Sequence, residues 1–275
     1  MNSKQKYDLV CSLGANCSAS NALKFRKLRN VALPFDWTWF DSEEALLSLA
    51  QGFKCKFANF MNKENLRKLT PDEYSNSHSD RIQYEDINTK FRYYNHFNVT
   101  SNESLEIDRV IKIFRRRCDR FDFLLKNSKN VLLILSCSSD LPLDSVRYLF
   151  DVIKAQYQNC AFKLIFQAFD CNEEIKKEID DITILKHKRK ENFYDYTMTN
   201  YEWSFLDEVV LSENFYNNCE KFTQSKSKLS FLIDVRKIKK GIHVVVLPNV
   251  STIMYAKVYL FGLRFHITIG KVKVE

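Results

Sequence analysis

The chain has 275 residues, 45% of them hydrophobic and 28% charged, with a formal net charge of +8. That composition excludes a disordered or fibrous chain and is enough for one large globular domain or two small ones. No apolar run approaches the ~20 residues that cross a bilayer. The N-terminal MNSKQKYDLVCSLG also lacks the apolar segment of a secretory signal, so the expectation is a cytoplasmic protein.

Tyr7 to Leu13 (YDLVCSL) is a short apolar run ended by Gly14, the pattern of a buried strand. Asn16 to Arg29 carries Ala19, Ala22, Leu23 and Leu28 at helical spacing, with Asn16 or Ser18 as cap. Ser42 to Leu49 predicts a second helix, capped by Ser42. Phe53 to Val99 is aromatic and polar with little helical period and reads as irregular structure with short strands. Glu103 to Lys126 predicts a long amphipathic helix. Val131 to Leu135 predicts a strand, Asp144 to Gln156 a helix, Phe162 to Gln167 a strand, Glu173 to Ile179 a helix and Ile182 to Leu185 a strand. This alternation predicts a three-layer α/β fold: a mainly parallel sheet with helices on both faces. Tyr194 to Asn218 reads as mostly helical. From Phe231 the tail is β-rich, over Val244 to Leu247, Tyr255 to Phe261 and Phe265 to Ile269, with Gly262 as a turn. The division expected is an α/β domain over 1–190 carrying the site, and a helical and β-rich extension over 191–275 packed on it.

None of the eight cysteines forms a CxxC pair or a Cys/His cluster with zinc spacing, so no metal site is expected and reduced, structural cysteines are the default. Cys17 departs from that default by position. SLGANC sets it where a strand hands over to a helix, at the carboxyl edge of a parallel sheet. A helix N-terminus there favours thiolate over thiol and offers N–H groups to an oxyanion. Gly14, Asn16 and Ser18 are the candidate substrate- and oxyanion-binding residues. Cys11, in mid-strand, reads as core. A thiol nucleophile needs a base and the base an orienting group. His96 and His78 stand level as bases from the residues alone. His243 and His266 look like packing residues, and His187 lies in a basic run. Asp36, in LPFDWTWF, is either the orienting group or a cap for the segment that follows.

YDLVCSLGANCSASNALKFRKLRNVALPFDW resembles the opening of a bacterial family described as putative papain-like cysteine peptidases. Further matches are Asn95-His96-Phe97-Asn98, then Arg115 to Phe121, then the strand Val131 to Leu135. The resemblance spans roughly residues 7 to 136. It implies Cys17 as nucleophile, His96 as base and Asp36 as third member. Two departures stand out: Phe97 replaces the usual Asp after the histidine, and the strand runs into SCSS where many members carry an Arg. A more distant likeness is to capsule-biosynthesis proteins regarded as acetyltransferases, whose Gly-Asn-Cys turn sits on a fold like that of the SGNH hydrolases.

The function expected is cysteine-dependent acyl transfer or hydrolysis through a thioester on Cys17. No cofactor is required, although a coenzyme A thioester is a candidate acyl donor. A small-molecule or glycan substrate, lipid-linked or not, fits the basic clusters at Arg115 to Arg120 and Lys186 to Lys190. No nucleic-acid signature is present, and membrane contact is at most peripheral, at the inner face through the tail. The alternative is a non-catalytic module that holds a phosphorylated sugar or nucleotide-type ligand at the helix N-terminus after Gly14.

Overall fold

The structure, a computed structural model, describes residues 5–73, 81–188, 201–234, 243–247, 253–260 and 263–271. In chain order its first elements are β1 (Gln5–Tyr7), β2 (Leu9–Ser12), α1 (Ser18–Phe25), β3 (Thr38–Trp39), α2 (Glu43–Lys54), β4 (Leu66–Lys68), β5 (Arg81–Asp86), β6 (Phe91–Asn98) and α3 (Glu103–Asn127). There follow β7 (Asn130–Cys137), α4 (Leu143–Gln156), β8 (Ala161–Cys171), β9 (Ile175–Ile179), β10 (Ile182–Lys188), β11 (Val209–Leu211), α5 (Glu213–Asp234), β12 (His243–Leu247), β13 (Ile253–Leu260) and β14 (Leu263–Lys271). The chain divides into two compact units, Met1–Tyr216 and Asn217–Glu275. No described helix is long and apolar enough to cross a membrane.

The first unit is an α/β fold. Its central sheet has the order β2-β7-β8-β10-β9, in which β2, β7, β8 and β10 run parallel and β9 antiparallel. Leu9, Val10, Cys11, Leu132, Leu133, Ile134 and Leu135 are all at most 3% exposed. Successive residues of one strand are therefore covered on both faces, as in a parallel sheet between two helical layers. On one face Val10, Leu132, Ile134 and Ile165 share a cluster with Ala19, Ala22 and Leu23 of α1 and with Trp203 and Leu206.

The stretch from Phe53 to Val99, expected to be irregular with short strands, supplies β4, β5 and β6, which with β3 form a four-stranded antiparallel sheet in the order β3-β6-β5-β4. Its inward side chains, Tyr84, Phe91, Tyr93 and Phe97, are at most 2% exposed. They join an aromatic core centred on Phe35, whose ring lies 5.3 to 6.5 Å from those of Phe57, Phe60, Phe91, Phe114 and Phe121. This core packs the Pro34 turn between the antiparallel sheet and α3.

Two expectations fail. The Glu173 to Ile179 helix is strand β9, paired with β10 across an Asp180-Asp181 reversal in which Asp180 has φ +53°. So short a segment does not nucleate a helix alone, whereas pairing with β10 satisfies its backbone at once. Its Lys and Glu side chains also suit a charged sheet edge. The Tyr194 to Asn218 helix is broken as well: Tyr201–Glu208 is 3₁₀, and β11 pairs in parallel with β1. Residues 194–200 and Gly262 lie outside the described residues. In the second unit, Phe231 to Asp234 still belong to α5, and β12, β13 and β14 form an antiparallel meander.

Candidate functional site

The turn between β2 and α1 is over-determined. Leu13 N donates to Ile134 O (2.8 Å), so pairing with β7 continues to the last residue before Gly14. Gly14 (φ +91°) and Ala15 (φ +70°) then reverse the chain in left-handed conformations. A Cβ on Gly14 would stand 2.6 Å from Thr38 Oγ1, because the strand containing β3 packs directly on the turn. Phe40 N donates to Ala15 O (3.3 Å) in the same contact.

Cys17 is the residue that caps α1, without a side-chain capping bond. The first helical donor is satisfied one residue upstream: Ser18 N donates to Asn16 Oδ1 (3.0 Å), which also accepts from Ser136 Oγ at the end of β7 (3.2 Å). Ser18 N–H is thus already committed. Asn16 is 5% exposed, and its Nδ2 has no partner. Since Ser18 N–H can only donate, Asn16 Oδ1 is the oxygen and the orphan is the donor end.

Of the eight cysteines Cys17 is the exposed one, and Cys11 is buried as expected. Its thiol is nevertheless held above its ordinary pKa. Desolvation by surrounding protein outweighs the hydrogen bond from its own backbone N–H. α1 is only eight residues long, and its first free N–H is taken by Asn16.

Asp36 is 1% exposed and bonded on every side: Arg29 Nε donates at 2.8 Å, Leu33 N at 2.7 Å and Ser20 Oγ at 3.2 Å. Ser20 lies one turn along α1 from Cys17, so Asp36 clamps that helix to the Pro34 turn. The Arg29 guanidinium also lies over the Trp37 ring (5.5 Å). Among the described residues Asp36 makes no bond to His96.

His96 stands on β6, half-buried, and its ring hydrogen-bonds to the Trp37 backbone beside Asp36. Its Nε2 is enclosed and without a partner. Burial first, then the Arg117 and Arg81 charges, pull the imidazole down to about 3, against the opposing bond to Trp37. The ring is therefore neutral at ordinary pH. No hydrogen bond joins it to Cys17 among the described residues. Cys17 and Ser20 share α1, Ser20 bonds Asp36, and His96 bonds the backbone of the next residue, Trp37. His78 lies outside the described residues. His187 is buried, stacks on Phe169 and faces Glu174 Oε2 at 3.4 Å, away from this region.

Residues 8–172 match the family described as "Putative papain-like cysteine peptidase". The chain belongs to this family. No curated protein matches it. In this cysteine-peptidase family member the matched segment runs from β2 into the turn after β8 and contains Cys17, Asp36 and His96. Sequence reasoning missed Ser20, Arg29 and Ser136, which hold the turn in place. Only the basic end of α1 and the SCSS stretch pointed towards them. A cavity of about 350 Å³ lies elsewhere, between Tyr7, Lys163, Lys176 and Glu208, and none of the candidate residues lines it. Among the described residues no group of His, Cys, Asp and Glu is arranged to hold a metal.

Proposed function

We propose that the protein is a cysteine-dependent hydrolase or acyltransferase working through a thioester on Cys17. The observation that carries this reading is the exposure of Cys17, at a strained strand-to-helix turn, in a protein whose other cysteines are all more buried. Cys17 Sγ attacks a carbonyl carbon and gives its proton to His96, the base the family motif supplies, once bound substrate brings the two together. A base is required, since the thiolate and not the thiol is the nucleophile. The N–H groups of α1 beyond Ser18 and the Asn16 Nδ2 hold the oxyanion. Collapse of the tetrahedral adduct expels the leaving group, which takes up the His96 proton. Water then returns the acid, or a sugar or other hydroxyl takes the acyl group. Asp36 acts as a positioning residue, fixing α1 against the Pro34 turn, and Gly14 gives the turn its shape. A coenzyme A thioester is one acyl donor that suits a protein of net charge +8.

Intact-mass analysis tests this reading. The protein is incubated with acetyl-coenzyme A and, in parallel, with a peptide library. A mass gain mapped to Cys17 and absent in Cys17→Ser supports transfer. Peptide cleavage that vanishes in Cys17→Ser, with no acyl-enzyme, assigns a peptidase. Neither result, together with iodoacetamide labelling of Cys17 no faster than of Cys55 or Cys160, would sink the nucleophile.

A further inference from the structure

The arginines of α3 look alike in sequence and differ in the fold. Arg115 commits its guanidinium to Phe57 O (2.6 Å), Ala58 O (3.2 Å) and Asn62 Oδ1 (2.7 Å). Arg120 Nη1 donates to Ala32 O (2.8 Å), and Arg116 is exposed. Arg117 is half-buried, makes no hydrogen bond or ion pair among the described residues, and has an enclosed, partnerless Nη1.

Its position is defined by its neighbours. Phe114 and Phe121 are three residues before it and four after, on the same stripe of α3. Both pack edge-on against Phe35, with centroids 6.5 and 6.1 Å away. Arg117 therefore stands on the side of α3 that faces the Pro34 turn. Burial disfavours its charge, and so do Arg29, Arg116 and Arg120. Asp36 attracts it, but the Asp36 oxygens are already taken by Arg29, Leu33 and Ser20. His96 also feels the Arg117 charge, and among the described residues its Nε2 lacks a partner.

A desolvated guanidinium without a counter-ion is costly, and a protein keeps one where an anion arrives from outside. A trapped water would satisfy Nη1 but leave the charge uncompensated. We propose that Arg117 binds an anionic group of the substrate, a carboxylate or a phosphate. Placing that group on the substrate rests on the acyl-transfer reading; the binding itself does not.

The test is a titration of the full chain with inorganic phosphate and, separately, with acetate, at constant ionic strength, following the ring ¹⁵N resonances of His96. The expected result is a saturable shift with one of the anions, which also identifies the chemistry recognised. Affinity should fall at least tenfold in Arg117→Gln and stay unchanged in Arg116→Gln. In the unmutated protein the same anion should protect Arg117, and not Arg116, from phenylglyoxal, a readout that does not depend on how any variant folds. No saturable shift with either anion, equal affinity in Arg117→Gln, or Arg117 modification indifferent to the anion overturns the proposal. Cys17→Ser serves as a separate arm. Saturable binding there, with no acyl-enzyme or cleavage by the unmutated protein, would retire the acyl-transfer reading and leave the anion site standing.

Discussion

At the scale of the residue, His96 has a measurable thermodynamic signature. Its folded pKa of about 3 lies below the ~6.5 of an unfolded histidine. As the pH falls through 6.5 the unfolded chain takes up a proton that the folded protein refuses, so stability declines, and the decline continues until the folded ring titrates near 3. The slope is at most ~1.4 kcal/mol per pH unit, hence at most about 2 kcal/mol between pH 6.5 and 5. Glu73 and Glu106, both held at about 2 by their partners, contribute stability that is lost only at lower pH, and comparison with His96→Gln separates this ring from the other four histidines. Urea denaturation at pH 6.5 and 5.0 should show this loss in the parent protein and a flatter response in His96→Gln. Identical slopes would mean that the ring is not desolvated in solution.

At the scale of the element, the β2–α1 turn makes opposite demands at adjacent positions. Gly14→Ala places a methyl 2.6 Å from Thr38 Oγ1 at φ +91°. It should cost roughly 2 to 4 kcal/mol, through overpacking and a disfavoured backbone. Ala15 already bears a Cβ at φ +70°. Ala15→Gly relieves that strain but loosens the unfolded chain, and should stay within about 1 kcal/mol of the parent. Thermal denaturation of the two variants checks the contrast. Cys17 alkylation should be altered in Gly14→Ala, where the turn must shift against β3, and retained in Ala15→Gly.

At the scale of the whole molecule, Asp8 ties distant segments together. It is 6% exposed and accepts from Lys129 N (2.7 Å), Asn130 N (3.3 Å) and Ser212 Oγ (2.5 Å). It thereby joins the break between β1 and β2 to the start of β7 and to the end of β11. Asp8→Ala leaves these donors without their acceptor and should cost about 3 kcal/mol, seen as a lower urea midpoint at unchanged slope. A loss below ~1 kcal/mol would show that water replaces the carboxylate there.

Local chemistry was enough to place Cys17 at a strand-to-helix junction, because an apolar run, Gly14 and the spacing of Ala19, Ala22 and Leu23 act within one stretch of chain. Ser42 as the cap of α2, the long α3, and the buried runs of β7 and β8 were legible for the same reason. Helix periodicity, capping and double-sided burial leave their marks in consecutive residues. The strand identity of β9 was not legible, since it depends on an open hydrogen-bonding edge at β10. The antiparallel sheet of β3 to β6 was hidden because its aromatic residues find their burial against Phe35 and α3, far off in sequence. The partners of Asp36, the burial of His96 and the isolation of Arg117 among similar arginines were settled only by the tertiary structure. Each depends on which groups share a desolvated neighbourhood, and linear spacing carries no record of that.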